Sequence, residues 1–300
     1  MIELQDVSKS YGPIQALRDV SFLVEKNETV GLLGRNGAGK TTLLNLLTGY
    51  FPPTKGRVLI SGKSMLEEAA SCKRMIGYLP EKPPLYDEMT VESYLRFVCE
   101  LREVRKEGIR AHTEEILSLC GLQEVRSRVL GHLSKGYRQR AGIAQALCAA
   151  PEILVLDEPT VGLDPKQTAE IRDLIRKLSA EHTVIFSSHI LSEVQQVCSR
   201  VIILDEGRLV MDYDARKPES DDLRLRLTVA GEREKTIRKL QHMEGFDGTE
   251  ELPSAEKNVT EVRVTMKRGT DSGAAIDRAF RMLADSGLQV RMMREEKEEL

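Results

Sequence analysis

The 300-residue sequence predicts an α/β protein in two parts: a larger domain around a parallel sheet, then a smaller α+β domain. From Met1 to about Asp212, short apolar runs alternate with helical patterns, as expected for a parallel sheet with crossover helices. After residue 222, short segments alternate apolar and polar residues, with two helical patterns between them. These two patterns carry the predicted fold class.

The larger domain begins with a predicted antiparallel sheet. Ile2–Val7 and Ala16–Val24 alternate apolar and polar residues, so one face of this sheet is expected to contact solvent. The following strands are continuously apolar and are predicted to be buried on both faces of a parallel sheet. They are Thr29–Leu33, Ile153–Asp157, Thr183–Ser187 and Val201–Leu204. From about residue 90 to 135 the pattern is helical and charged, which predicts a helical insert that completes a domain over residues 1–214.

The smaller domain follows a polar segment, residues 215–222, which is predicted to be a linker. Residues 223–294 are predicted to have the element order βαββαβ, that of a ferredoxin-like sandwich. The predicted strands are Leu223–Val229, a weaker one at Phe246–Leu252, Val262–Met266 and Leu288–Met292, and the helices contain Ile237–Leu240 and Ile276–Leu283. Residues 295–300 are predicted to form a charged, solvated tail.

The composition argues against several classes of protein. The formal net charge of −3 gives no basic surplus of the kind that nucleic-acid-binding domains carry. The five cysteines form no close pair, so neither a disulfide framework nor a zinc site is indicated. The longest stretch without a charged residue, Thr41–Thr54, is shorter than the about 20 apolar residues of a spanning helix. The N-terminus lacks the pattern of a signal peptide, and we therefore expect a cytosolic protein.

The clearest motif directly follows the strand Thr29–Leu33. Gly34–Thr42 matches G-x-x-x-x-G-K-[ST] between a strand and an apolar helix, the context that a phosphate-binding loop requires, so a chance glycine turn is the weaker interpretation. Lys40 is expected to reach the β- and γ-phosphates and Thr41 to bind Mg²⁺. The other expected nucleotide contacts are Gly34, Asn36, Gly37, Gly39 and Thr42. The motif predicts a P-loop NTPase core of the RecA-like kind.

Two acidic residues end the strand ILVL, at the sheet edge where α/β proteins bind ligands. Asp157 is expected to hold the metal, directly or through water, and Glu158 to polarise an attacking water. His189 follows the next strand and is expected to donate a hydrogen bond to the γ-phosphate. Taken alone, the acidic pair also fits a solvated turn, and the histidine a structural role.

With these residues in place, Met1 to about Asp212 resembles the ATPase subunit of an ATP-binding-cassette (ABC) transporter. Gly34–Thr42 resembles its Walker A motif, Ile153–Glu158 its Walker B motif, Leu133–Tyr137 its signature motif and Gly162–Asp164 its D-loop, with His189 as the switch histidine. The motifs occur in the family's order, which is more specific than a phosphate-binding loop alone.

The resemblance implies further site residues. Tyr11 occupies the aromatic position that stacks on adenine in this family, with core packing as the alternative. In relatives, the serine and glycine of the signature motif contact ATP bound by a second copy, so Ser134 and Gly136 are expected to act in trans, with Asp164 of the D-loop also near the nucleotide.

Three positions depart from the family pattern. Glu81 stands where the family has the Q-loop glutamine, and we expect it to sense the metal side of the nucleotide through its carboxylate, with an exposed loop acid between prolines as the alternative. Lys135 and Tyr137 replace a glycine and a glutamine of the signature motif. The arginines that follow, Arg138 and Arg140, either grip nucleic-acid phosphate or belong to the scaffold, and the second interpretation is favoured.

The resemblance implies a Mg²⁺-dependent ATPase that binds ATP, pairs with a second copy and drives a separate transmembrane permease. We expect it at the inner face of the cell membrane. The chain most resembles ATPases of ABC-2-type exporters, on the basis of the segments YLPEKPPLYDEMTV and LSKGYRQR and the C-terminal domain. The alternatives are a soluble cassette that acts on ribosomes or DNA, and a regulatory cassette that no longer turns over. No nucleic-acid partner is expected. For the C-terminal domain, the alternatives are a regulatory role, a role in dimerisation and a role in packing alone.

Overall fold

The computed structural model describes residues 1–214, 224–252, 259–267 and 272–295. The chain divides into two compact units, Met1–Arg216 and Lys217–Leu300. The predicted linker at 215–222, Leu223 and all but the first residue of the predicted tail lie outside the described residues.

The larger unit combines two sheets with seven α-helices within its described residues 1–214. Its strands are β1 Ile2–Tyr11, β2 Ile14–Val24, β3 Thr29–Leu33, β4 Lys55–Ile60, β5 Lys63–Ser64, β6 Ile76–Leu79, β7 Ile153–Leu156, β8 Thr183–Ser188, β9 Arg200–Asp205 and β10 Arg208–Asp214. Its helices are α1 Lys40–Leu47, α2 Ala69–Arg74, α3 Val91–Leu101, α4 Lys106–Leu119, α5 Lys135–Leu147, α6 Pro165–Leu178 and α7 Leu191–Val197. No described helix is long and apolar enough to cross a membrane.

The central sheet has the strand order β10-β9-β3-β8-β7-β6. Strands β9, β3, β8, β7 and β6 are parallel to one another, and β10 is an antiparallel edge strand. The parallel core confirms the prediction from the continuous apolar runs, since β7 and β8 are buried at every residue. Because β8 lies between β3 and β7, the loops that follow these three strands leave the same edge of the sheet side by side.

The antiparallel sheet has the order β2-β1-β4-β5. Its first two strands are longer than predicted, because β1 continues to Tyr11 through several register shifts against β2, and the sequence pattern loses its alternation there. Helices α3 and α4 occupy the segment predicted as a helical insert.

The smaller unit follows the predicted βαββαβ order. Its elements are β11 Arg224–Ala230, α8 Arg233–Gln241, β12 Phe246–Leu252, β13 Val259–Met266, α9 Ser272–Asp285 and β14 Gln289–Glu295. The antiparallel sheet has the order β12-β13-β11-β14, which is the ferredoxin-like arrangement. One face of its strands packs with the helices around a separate apolar core that includes Leu227, Val264 and Leu283.

A buried ion cluster lies at the opposite ends of the parallel strands, where β3 and β9 begin. The Arg200 guanidinium contacts Asp212 Oδ2 at 2.6 Å and Glu28 Oε1 at 3.3 Å, and it donates to Leu23 O at 2.6 Å. The side chains of Arg200 and Glu28 are almost fully buried. This cluster joins the edge of the central sheet to the antiparallel sheet and is remote from the strand ends that carry the predicted site.

Candidate functional site

The loop between β3 and α1 has the backbone of a phosphate cradle. Gly37 and Gly39 have φ values of 84° and 105°, a region that residues with a Cβ rarely adopt. At Gly39 a Cβ would also lie 2.8 Å from the Ala16 carbonyl oxygen. The two glycines therefore allow the chain to turn directly into α1, and a helix start that follows a glycine-rich turn suits the binding of phosphate.

Lys40 places its ammonium inside this loop. Its Nζ donates to the carbonyl oxygens of Gly34 at 2.6 Å and Arg35 at 3.3 Å. The same Nζ lies 3.3 Å from Glu158 Oε1, and Lys40 is only 6% exposed. The lysine thus joins the loop after β3 to the loop after β7.

The second oxygen of Glu158 contacts the predicted histidine. His189 Nδ1 lies 2.9 Å from Glu158 Oε2, so Lys40, Glu158 and His189 meet at this edge of the sheet. Glu158 has a φ of 47°, a left-handed conformation that costs a residue with a side chain about 1–2 kcal/mol. Its backbone N–H donates to Ser187 Oγ at 2.8 Å, which helps to hold this conformation.

Asp157 is buried beside this group, with one engaged oxygen and one free. Its Oδ1 accepts a 2.6 Å hydrogen bond from Ser187 Oγ, whereas Oδ2 is buried and has no hydrogen-bond partner among the described residues. Burial raises the pKa of Asp157, the hydroxyls of Ser187 and Thr41 oppose that rise, and the charges of Glu158 and Glu81 add to it. A buried carboxylate oxygen near the Thr41 hydroxyl suits a hard divalent cation, which binds to oxygen ligands.

One cavity collects most of the predicted nucleotide contacts. Glu81 lines it, which places the Q-loop position in the same space as Lys40 and Glu158. The remaining lining residues are Ala16, Arg35, Asn36, Gly37, Gly39, Thr41, Thr42, Val161 and His189.

Tyr11 lies at the end of β1 and does not line this cavity. The side chain is exposed, so the alternative of core packing is wrong. Its ring meets Phe51 edge-on at 6.0 Å, and Lys9 Nζ lies 5.2 Å from the ring centre. The predicted contact with adenine stays a prediction.

The predicted trans-acting residues lie apart from the cradle. Ser134, Gly136 and Asp164 line a second cavity between the start of α5 and the start of α6. Ser134 is the exposed residue before α5, Gly136 packs against Gln167, and Asp164 accepts from Gln167 N at 2.8 Å. Lys135 Nζ lies against Gly162. Within one copy, these residues therefore lie in a different cavity from the phosphate cradle.

The two arginines after the signature motif belong to the scaffold. Arg138 donates to Asp87 Oδ1 at 2.6 Å and to Leu130 O at 2.9 Å. Arg140 donates to Glu170 Oε2 at 2.7 Å and to Cys120 O at 3.1 Å. Their guanidinium groups brace the helical insert and α6, as favoured from the sequence.

Comparison with known proteins identifies the family. The profile described as "ABC transporter" matches residues 17–161. The ABC transporter ATP-binding protein NatA of Bacillus subtilis is 38% identical over 216 residues, covering 70% of this chain and 88% of NatA. The bacitracin transport ATP-binding protein BcrA of Bacillus licheniformis is 38% identical over 212 residues, covering 70% of this chain and 68% of BcrA. The chain belongs to the ABC transporter ATP-binding proteins.

The fold of solved cassettes agrees with this assignment. The ATP-binding cassette MJ0796, solved as a dimer in a post-hydrolysis state with ADP and Pi, superposes with a TM-score of 0.66 at 28% identity. The match covers 71% of this chain and 98% of that cassette. This confirms the P-loop NTPase core predicted from Gly34–Thr42.

Sequence reasoning missed the polar residues that hold this ABC cassette's carboxylates in place. Ser187 contacts both Asp157 and the Glu158 backbone, whereas its sequence pattern predicts only the end of a strand. Glu193 and its partner Thr160 were assigned no role. One feature of the sequence could have indicated the role of Ser187: the strand TVIFSS changes from apolar to polar residues at the end of the sheet where the ligand is expected.

The raised pKa of Asp157 predicts a stability gain when its charge is removed. The pKa of Asp157 is higher in the folded than in the unfolded protein, so protonation of Asp157 stabilises the fold at low pH. This stabilisation is lost as the pH rises through the pKa of the folded protein. Without nucleotide or metal, we expect Asp157→Asn to melt at a higher temperature than the unmodified protein at pH 7. The difference should vanish below about pH 4, where both forms are neutral.

Thermal unfolding from pH 3.5 to 8 would measure this, with Asp173→Asn on the exposed face of α6 as the matched control. An Asp157→Asn melting temperature at or below that of the unmodified protein at pH 7 would contradict a desolvation cost at this carboxylate.

Proposed function

We propose that this ABC ATP-binding protein hydrolyses Mg²⁺-ATP with Glu158 as the general base, and that two copies working together drive export through a separate membrane subunit. The observation that carries the proposal is the meeting of Lys40, Glu158 and His189 beside the phosphate cradle. Three loops that follow three different strands supply these side chains, and each has a role in phosphoryl transfer.

The Lys40–Glu158 ion pair provides a way to couple nucleotide binding to activation of the base. The phosphates of ATP carry more negative charge than one carboxylate and compete for the Lys40 ammonium. Once the lysine contacts phosphate, Glu158 Oε1 is free to accept a proton from water. The water oxygen then forms a bond to the γ-phosphorus as the bond from that phosphorus to the bridging oxygen of ADP breaks. His189 donates to the Glu158 carboxylate through Nδ1 and to the γ-phosphate through Nε2, and the two contacts together require both ring nitrogens to be protonated.

Thr41 and Asp157 are the residues that suit Mg²⁺, since the hydroxyl and the unpartnered Oδ2 are both oxygen ligands. When bound, the cation neutralises charge on the β- and γ-phosphates. Glu81 lines the same cavity, and in this proposal its carboxylate accepts a hydrogen bond from metal-bound water.

The separation of the two cavities supports a head-to-tail pair. Ser134 and Gly136 lie away from the cradle of their own copy, and Ser134 is exposed at the start of α5. Placed against a second copy, this helix start would offer its N–H groups and positive end to the partner's γ-phosphate. The solved MJ0796 cassette is a dimer, and the proposal extends that arrangement to this chain. Tyr11 would stack on adenine of the nucleotide bound by its own copy.

We propose that the same pair drives a membrane permease. ATP favours the closed pair by adding contacts that only the closed pair makes, and hydrolysis removes them. The name of BcrA states a role in bacitracin transport, which favours transport over a ribosomal or DNA-directed role. The scaffold contacts of Arg138 and Arg140 also weigh against nucleic acid as a partner. We place the protein in the cytoplasm at the inner face of the cell membrane, in an ABC-2-type exporter.

The role of Glu158 is tested by Glu158→Gln, which keeps the shape of the side chain and removes the base. Loss of a general base lowers rates by about 10² to 10⁴-fold, so we expect ATP binding with hydrolysis slowed by that factor. The variant should also accumulate as an ATP-dependent dimer on size-exclusion chromatography. Phosphate release measures the rate, and Lys40→Ala, which should fail to bind ATP, is the control. Rapid hydrolysis by Glu158→Gln would refute the assignment.

The role of Glu81 is tested in the assembled transporter by comparing Glu81→Gln with Glu81→Ala. The amide oxygen of glutamine can still accept from metal-bound water, whereas alanine cannot. We expect Glu81→Gln to retain most permease-stimulated ATPase activity, and Glu81→Ala to lose that stimulation while still binding ATP. Unchanged stimulation in both variants would show that Glu81 does not report on the nucleotide.

A further inference from the structure

Glu193 is a buried carboxylate that the mechanism above does not use. It lies on α7 and is 8% exposed. Its Oε2 accepts two hydrogen bonds, from Thr160 Oγ1 at 2.7 Å and from Ser188 Oγ at 3.1 Å. Thr160 and Ser188 are also buried. A single carboxylate oxygen therefore joins the loop after β7 to the end of β8 inside the protein.

The two hydroxyls lie next to the reacting groups, Thr160 in the loop after β7 and Ser188 at the end of β8. Thr160 lies two residues after Glu158, within a turn in which Val161 N donates to Glu158 O at 3.1 Å. Ser188 directly precedes His189, and its Oγ also accepts from Ile190 N at 3.0 Å. Glu193 thus fixes the loop of the base to the loop of the histidine from the interior side, behind the Glu158–His189 contact.

We infer that Glu193 is a positioning residue for ATP hydrolysis, and that it acts by holding Glu158 and His189 in register. The inference rests on the proposed role of Glu158 as the base. Glu158 needs such support because its left-handed backbone is strained and its carboxylate must face the attacking water. Loss of the Glu193 carboxylate would free both loops without removing any group that contacts ATP.

The chemistry of the site explains why a carboxylate stands here. Both neighbours are hydroxyl donors, and an ionised carboxylate is purely an acceptor. A glutamine could accept from one or both hydroxyls through its amide oxygen, but its NH₂ group would need acceptors of its own in a buried place. Glu193→Gln should therefore retain part of the function, and Glu193→Ala should retain less.

The test is steady-state ATPase kinetics on the full chain, with thermal unfolding measured for each variant. We expect Glu193→Ala to lower kcat by about tenfold or more, because small displacements of reacting groups are costly, and to leave the KM for ATP within about twofold. The kcat of Glu193→Gln should lie between that of Glu193→Ala and that of the unmodified chain. Thr160→Val and Ser188→Ala, which each remove one hydroxyl, should lower kcat less, and combining Thr160→Val with Glu193→Ala should add little.

Two comparisons separate positioning from a general loss of stability. Glu28→Ala removes a buried glutamate at the other edge of the sheet, so it should lower the melting temperature and leave kcat unchanged. In the Glu158→Gln background, adding Glu193→Ala should lower the residual hydrolysis by less than it lowers the rate of the unmodified chain, because only its effect on His189 remains.

The outcomes are distinguishable. No ATPase activity in the unmodified chain would overturn the proposed function itself. An active chain in which Glu193→Ala keeps its kcat, or in which kcat falls only in proportion to lost folded protein, would overturn the role of Glu193 alone. If Glu193→Ala does not fold, Thr160→Val and Glu193→Gln decide the question, and unchanged kcat in both would contradict the inference.

Discussion

The position of β8 between β3 and β7 determines the geometry of the whole site. Parallel neighbours end at the same edge, so the loop after β3 brings Lys40 and the loop after β7 brings Glu158 to either side of His189. Because these contacts cross strands that are distant in sequence, the site exists only when the central sheet is fully assembled. The antiparallel sheet and helical insert surround this edge without contributing Lys40, Glu158 or His189.

The charges at this edge show how the protein maintains a site that is unfavourable for folding. Asp157 and Glu158 are adjacent buried acids, and burial raises the pKa of Asp157. The Ser187 hydroxyl donates to the Asp157 carboxylate and accepts from the Glu158 backbone N–H. Lys40 and His189 contact the two carboxylate oxygens of Glu158. The arrangement leaves Asp157 Oδ2 without a hydrogen-bond partner in the part of the chain that the structure describes, which is the position that a cation bound to nucleotide would satisfy. Stability is thus given up where function requires charge.

The sequence was most informative where one physical requirement dictates residue type. Continuous apolar runs located β3, β7, β8 and β9, and the glycine spacing located the phosphate cradle, since only a few residue types satisfy each constraint. The contacts of Ser187 and Glu193 could not be predicted, because they depend on which loops become neighbours in space. The same limit applies to Tyr11, whose neighbour Phe51 follows α1 and meets it only through the tertiary fold. The βαββαβ order was predictable, but nothing in the alternation of its strands indicates what the smaller unit binds.

The most direct test of this account is a crystal structure of the full chain with Mg²⁺ and a non-hydrolysable ATP analogue. We expect Lys40 Nζ to leave Glu158 and to contact the β- and γ-phosphates, with Asp157 Oδ2 turned to the metal and Ser134 of a second copy on the same nucleotide. A bound analogue with the Lys40–Glu158 ion pair still in place would contradict the claim that ATP frees the base.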